Sequence, residues 1–227
     1  MRRTLFAPIL ALLALAACHD SATAPITTPT GNLRFVSGVH GSVNVLVDGT
    51  PVLTNVALGG YAGAGVAAGS HTITFQKVGG GTSAGQVFTL SGTGRALVVG
   101  TEAAGVLSAN VLLDTNAVVP AGATKLRVMH SASAANPISI WRTQPDYGTM
   151  IRVQFPFHYN DVSPYLQSTV GDWLVMVSSE NNTPASVPMP DTLANSGVIP
   201  VTSGSSKTVV VVDGATAGSV KIVVVEP

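Results

Sequence analysis

The sequence predicts an all-β protein: two tandem immunoglobulin-like antiparallel β-sandwich domains behind a cleaved signal peptide and a short tether. Three observations lead there. From residue 32 onward the chain is a series of apolar runs of about four to six residues, rich in Val, Ile and Thr, and several alternate in and out, as in Val43-Asn44-Val45-Leu46-Val47. Turn signals separate the runs, notably Asp48-Gly49, Gly79-Gly80-Gly81 and Asp213-Gly214. The series also occurs twice. Outside the first seventeen residues no segment keeps an apolar period of 3.6 for three turns, so little or no helix is expected.

Residues 1–17, MRRTLFAPILALLALAA, join a basic start (Arg2, Arg3) to an apolar run from Leu5 to Ala17, the layout of an export signal. The run is too short for a transmembrane helix, which needs about 20 apolar residues to cross a core of ~30 Å, and Pro8 interrupts it. Leu15-Ala16-Ala17-Cys18 resembles the lipobox of bacterial lipoproteins. That resemblance implies a diacylglycerol on the Cys18 thiol, removal of the signal, and acylation of the new amino terminus. Each buried CH₂ contributes about 0.8 kcal/mol, so two or three chains anchor stably where one does not. The membrane is thus an expected partner, through lipid at Cys18. In the usual sorting pattern an aspartate directly after the cysteine retains a lipoprotein in the inner membrane; His19 stands there, which implies the outer membrane. Once Cys18 is acylated, no thiol remains for a disulfide or a cysteine-ligated zinc site.

Residues 18–31 form the lipidated tether. HDSATAPITTPTG has no hydrophobic period, and fully extended it reaches roughly 40 Å. The first sandwich is expected over 32–114, with LRFV, VNVLV, HTITF, QVFTL, RALVVG and SANVLLD as strands. TNAVVPAGAT, residues 115–124, is the linker. The second sandwich follows over 125–227, with KLRVM, ISIW, WLVMV, KTVVVV and VKIVVV. The copies echo each other: Leu33-Arg34-Phe35-Val36 matches Leu126-Arg127-Val128-Met129, and Gly69 to Ile73 matches Gly171 to Val175. Arg95 to Val99 matches Lys207 to Val211, and Ala109 to Leu113 matches Val220 to Val224. A period near 100 residues with about seven strands suits two sandwiches, whereas solenoid repeats run about 20 to 50.

VNVLVDG (43–49) and VAAGSHTITF (66–75) in the first copy, and LRVMHSASAANPISIW (126–141) and FHYNDVSPYL (157–166) in the second, resemble the bacterial domain of unknown function 4397. The first copy departs from the family pattern at Ser37-Gly38, where His-Ala is usual, and the second lacks the Asp-Gly turn after Trp141. The resemblance implies an immunoglobulin-like sandwich in an exported, often lipid-anchored protein. It implies no reaction.

Composition narrows the function classes. Without Arg2 and Arg3, nine Lys and Arg face eleven Asp and Glu, a charge of about −2, and phosphate recognition needs a dense basic face. No nucleic-acid partner is expected. With 46% hydrophobic residues the chain has ample core, and with 10% charged residues its surface must be carried by Ser, Thr, Asn and Gly.

Motifs that would carry chemistry fail on their context. Gly81-Thr82-Ser83-Ala84-Gly85 fits the nucleophile elbow G-x-S-x-G, but three glycines precede the serine and a strand follows, so a hairpin loop is expected. Gly63-Ala64-Gly65-Val66-Ala67-Ala68 fits the dinucleotide fingerprint, yet no acidic residue lies between Asp48 and Glu102; a glycine-rich loop is expected. The five histidines (19, 40, 71, 130, 158) have no metal-ligand spacing. His130 and His158, with Asp161 or Asp172, are the one set that could assemble an envelope hydrolase or metal-dependent enzyme. The expectation is instead of no catalysis, no cofactor and no metal. Seven of the twelve aromatic residues fall between 141 and 173. Trp141 and Trp173 read as core, whereas Tyr147, Tyr159 and Tyr165 lie in loop-like sequence. Those three are the candidate ligand contacts, for a glycan or an envelope protein, unless the rings pack the two copies together.

Overall fold

The computed structural model describes residues 30–114, 119–179 and 192–226. The signal segment, Cys18 and the tether before Thr30 lie outside the described residues. Every regular element described is a strand. The first eight are β1 (Thr30–Gly38), β2 (Ser42–Val47), β3 (Thr50–Ala57), β4 (Tyr61–Ala67), β5 (Gly69–Lys77), β6 (Gln86–Leu90), β7 (Arg95–Ala103) and β8 (Val106–Leu113). They form two facing sheets, β4-β1-β7-β8 and β3-β2-β5-β6. The chain then repeats the plan with β9 (Ala123–Ser131), β10 (Ile138–Thr143), β11 (Ile151–Phe157), β12 (Leu166–Thr169), β13 (Gly171–Ser179), β14 (Thr192–Asn195), β15 (Ile199–Val201), β16 (Ser206–Asp213) and β17 (Val220–Val225). Its sheets are β12-β9-β16-β17 and β11-β10-β13-β14, with β15 also on β13. Strands β14 and β15 together stand where β6 stands in the first copy. β1 and β9 each open two residues earlier than the sequence reading places them, inside the tether and the linker.

The sandwich class is as read from the sequence, with two differences of detail. Each copy has at least eight strands, and one pairing per copy is parallel: β1 with β7, and β9 with β16. Parallel neighbours cannot be joined by a hairpin; here the chain leaves β1, visits both sheets, and returns beside it only at β7. The second difference concerns β4. Gly63 and Gly65, expected in a loop, lie instead in a strand that pairs with β1 over seven residues, Gly63 opposite Arg34 and Gly65 opposite Asn32. Glycine is a poor strand former, and the pairing comes from tertiary contact, with Ala62 and Val66 joining the core.

Side chains alternate as the pleat demands. Leu33, Phe35, Val43, Val45, Ile73, Phe75 and Val98 fill the first sandwich, and Val128, Ile138, Ile140, Trp173, Val175, Val209 and Val211 fill the second. The turn between β2 and β3 has positive φ at both Asp48 and Gly49, the backbone of a two-residue hairpin that matches strand twist. Residues on the opposite face of β1, β7, β9, β16 and β17 form a third cluster: Val36, Leu97 and Val99 from the first copy against Met129, Val210, Val212, Val223 and Val225 from the second. The sandwiches therefore stack face to face through their β1 and β9 sheets, four sheets deep. At this seam Gly38 has no room for a side chain, since a Cβ there would sit 2.5 Å from Ser131 Oγ and 2.8 Å from the Gly100 carbonyl.

The four sequence echoes fall on topologically equivalent strands, with two slips: Val111 faces Val98 and Val224 faces Val209, so the match of Ala109–Leu113 with Val220–Val224 is two residues out, and the match of Arg95 with Lys207 is one out. Leu33 stands opposite Ala96 and Leu126 opposite Lys207. Ala96, not Arg95, is therefore the counterpart of Lys207. A shift of one residue exchanges the two faces of a strand, and the corrected register puts Val98 and Val209 both in the cores.

Candidate functional site

The three tyrosines do not share one surface. Tyr159 follows the end of β11, its main-chain N–H donating to Asn136 Oδ1 (2.8 Å), and burial raises its phenol pKa. The neighbouring Asn160 accepts at Oδ1 from Asn110 of the first copy (3.1 Å). Tyr165 donates its hydroxyl across the seam to Asp114 (3.1 Å) and lies under the Arg127 guanidinium, 4.4 Å from its ring centroid. Both therefore belong to contacts between the copies. Tyr147, held at φ 60° in the turn between β10 and β11, packs with Met150 on Trp141 and Met176.

That last cluster is on the outer face of the second sandwich. Ile140 points into the core, so its neighbour Trp141 points away from it; the tryptophan is buried, but on the far side of its sheet rather than in the core with Trp173. Its Nε1–H donates to Ser178 Oγ (2.9 Å). Beside it, on the edge strand β11, the Arg152 guanidinium carbon lies 5.1 Å from the Trp141 ring centroid and 4.9 Å from that of Phe155. Phe155 is 41% exposed and Ile151 43%. A shallow groove of about 370 Å³ runs along Arg152, Val153, Gln154 and Phe155. The outer sheet thus offers an aromatic and cationic strip. At the register equivalent of Trp141 the first copy has Leu46, and its outer sheet carries no such strip. Pro156 fits here because only an edge strand tolerates a missing N–H.

The histidine set does not face a common cleft. His130 has no exposed surface; its ring stacks on Phe157 (centroids 6.0 Å, 24°) and its Nδ1 accepts from the Ala132 N–H (3.3 Å). Burial lowers its pKa to about 4, against the weaker opposing pull of the Ala135 backbone and the Asp213 and Asp161 carboxylates. His158 is mostly exposed, 3.6 Å from Asp161, and Asp172 is exposed at the start of β13. Among the described residues no three His, Cys, Asp or Glu side chains are placed to hold a metal. Ser83, in the G-x-S-x-G stretch, lies in the loop between β5 and β6, where its Oγ accepts from Phe75 N–H and donates to the Ala84 carbonyl.

Two buried acids do structural work that sequence reading missed. Asp213, 1% exposed, accepts from the Ser133 and Ala134 N–H groups and lies 3.3 Å from His40 Nε2 of the first copy. Its register counterpart Glu102 accepts from the His40 N–H and pairs with Lys77 (2.8 Å). Each acid thus ties down the loop that follows its copy's first strand. A further tie is local: His71 Nδ1 bonds Asp48 (2.7 Å) and Nε2 bonds the Ala67 carbonyl (2.8 Å). With both nitrogens facing acceptors the ring favours its proton, and its pKa is raised, chiefly by Asp48.

Fold and surfaces define a class, a doubled β-sandwich protein stacked through an apolar seam and bearing one aromatic outer sheet. Within that class, residues 31–141 match the family described as a domain of unknown function, DUF4397, so this stretch is a DUF4397-like domain, running from β1 to Trp141 of β10. Two solved structures are similar at low level. One is a DUF3823 family protein from Bacteroides ovatus ATCC 8483, 10% identical, covering 77% of this chain and 99% of its own, with a TM-score of 0.23. The other is a leucine-rich repeat protein from Bacteroides thetaiotaomicron VPI-5482, 12% identical, covering 79% of this chain and 26% of its own, with a TM-score of 0.23. No curated protein matches the sequence.

Proposed function

We propose that the protein is a lipid-anchored component of the cell envelope, acting as a non-catalytic binding module for a glycan or envelope protein. The supporting observation is the strip of Trp141, Arg152 and Phe155, flanked by Tyr147, on the outer sheet of the second copy. A sugar ring presents an apolar C–H face to an aromatic ring and hydroxyls to a guanidinium, and the exposed Phe155 ring with Arg152 beside it offers both, above the buried Trp141. Of the three tyrosines only Tyr147 enters this reading; Tyr159 and Tyr165 are engaged at the seam. The lipobox-like residues before Cys18 and the tether that follows supply the anchor.

A glycan array followed by titration tests the module. Phe155→Ala and Arg152→Ala are each expected to weaken a bound glycan by about tenfold, near 1.4 kcal/mol, without lowering the melting temperature. Array hits with unchanged affinity in both variants refute the assignment of this face. Fatty-acid labelling tests the anchor: label is expected on the wild type and absent from Cys18→Ser. Label that persists in the substituted chain removes it.

A further inference from the structure

The seam has a second end, remote from the Asp213 contacts, and its charge is unbalanced. By alternation β1 turns Arg34, Val36 and Gly38 toward the seam, and β9 turns Arg127, Met129 and Ser131 toward it, so the counterpart arginines of the two copies meet there. Both line one small cavity of about 10 Å³, with Arg95, Tyr165 and Thr208 around it. That is room for one water-sized atom.

Neither arginine is in an ion pair, although the Arg34 charge helps, after Lys207, to hold the Glu226 carboxyl below its usual range. The Nη1 of Arg34 is buried without a hydrogen-bond partner. Arg127 is only 8% exposed, and its Nε and Nη2 make two long bonds to Thr208 Oγ1 (3.3 and 3.2 Å). Asp114 at the rim accepts the Tyr165 hydroxyl, and Glu226 is paired with Lys207. Among the described residues Arg34, Arg95 and Arg127 form no ion pair. Four cations thus face two carboxylates. A buried guanidinium donor left unbonded is costly, and like charges brought together raise that cost.

The cavity shares Arg95 and Glu226 with an open groove of about 500 Å³ floored by Thr202, Gly204, Ser205 and Lys207. We infer that this end of the seam binds an oxyanion group. One oxygen enters between Arg34 and Arg127, and the rest of the ligand lies in the groove against Arg95 and the polar main chain and hydroxyls beside it. A carboxylate or sulfate has the shape for two guanidinium forks. It can come as a free small anion or as the acidic group of a saccharide. The site is distinct from the aromatic strip.

The test is calorimetric titration of the full mature chain in detergent at constant ionic strength, with sodium sulfate in one arm and an oligogalacturonate in the other. Binding in either arm, weakened about tenfold or more by Arg34→Gln and by the exposed Arg95→Gln and unchanged in Val106→Ala on the exposed edge of the first copy, supports the site. Arg95→Gln keeps the test decisive if Arg34→Gln does not fold. Oligogalacturonate binding well above sulfate identifies the saccharide as the source; equal affinities identify a free anion. No heat in either arm, or affinities unmoved by both arginine variants, overturns the inference. Loss in Phe155→Ala with the arginine variants unaffected would place anion binding on the outer strip and overturn it equally.

Discussion

Acidification is expected to weaken this protein through one side chain, His130. Its imidazole is sealed between Phe157 and the loop that follows β9, and burial holds its pKa near 4 against an ordinary 6.5. In the unfolded chain the ring takes up a proton as the pH drops through 6.5, while the folded protein refuses it until about pH 4. Unfolding therefore binds a proton across that window, and stability falls with falling pH. Each pH unit of difference is worth 1.36 kcal/mol, so the loss between pH 7 and pH 4 is about 3 kcal/mol. That is a large share of the ~5–15 kcal/mol stability of an ordinary domain. The assay is urea unfolding of wild type and His130→Gln at pH 7, 6, 5 and 4, with the other titrating groups cancelling in the difference. Wild type is expected to lose about 3 kcal/mol more than the variant. Parallel losses, or an NMR titration placing His130 at 6 or above, would refute the account.

The remaining expectations are simpler. His71 works in the opposite sense: its raised pKa means that the Asp48–His71–Ala67 tie is fully present below pH 6.5 and is lost as pH rises through the folded value. The melting-temperature gap between wild type and His71→Gln should therefore narrow on going from pH 6 to pH 9. Gly38→Ala drives a methyl into Ser131 and the Gly100 carbonyl, and overpacking of this kind costs about 1–3 kcal/mol; urea midpoints measure it. Val210→Asp places a carboxylate in the seam at a position with no exposed surface. A cost of about 3 kcal/mol or more is expected in the same assay.

Much of the fold was legible because strand runs and turns are local. Val43 to Val47 alternates, Asp48-Gly49 turns, and β2 and β3 follow. β4 escaped because Ala and Gly carry no strand preference of their own; only the facing β1 makes Tyr61–Ala67 extended. The seam was half written in the sequence. Runs such as Val209 to Val212 do not alternate, and a strand buried on both faces reads that way, which signals a further layer on the sheet. The candidate site was less legible. Tyr159 and Tyr165 look like loop aromatics until the copies are stacked, since nothing near them in the chain records what lies across the seam. Trp141 follows an inward Ile140 by one residue, so pleat parity alone could have moved it to the outer face. Asp213 looked like a turn residue, and only the register with Glu102 shows that it bolts down a loop.

The parallel register of β1 with β7 has a mechanical meaning. A pull on the chain from the Thr30 side runs along β1, which is clamped on one flank by β4 and on the other by β7. Such a load is shared by both ladders at once as sliding, rather than peeled from one bond to the next. β1 is therefore arranged to bear tension applied from its Thr30 end.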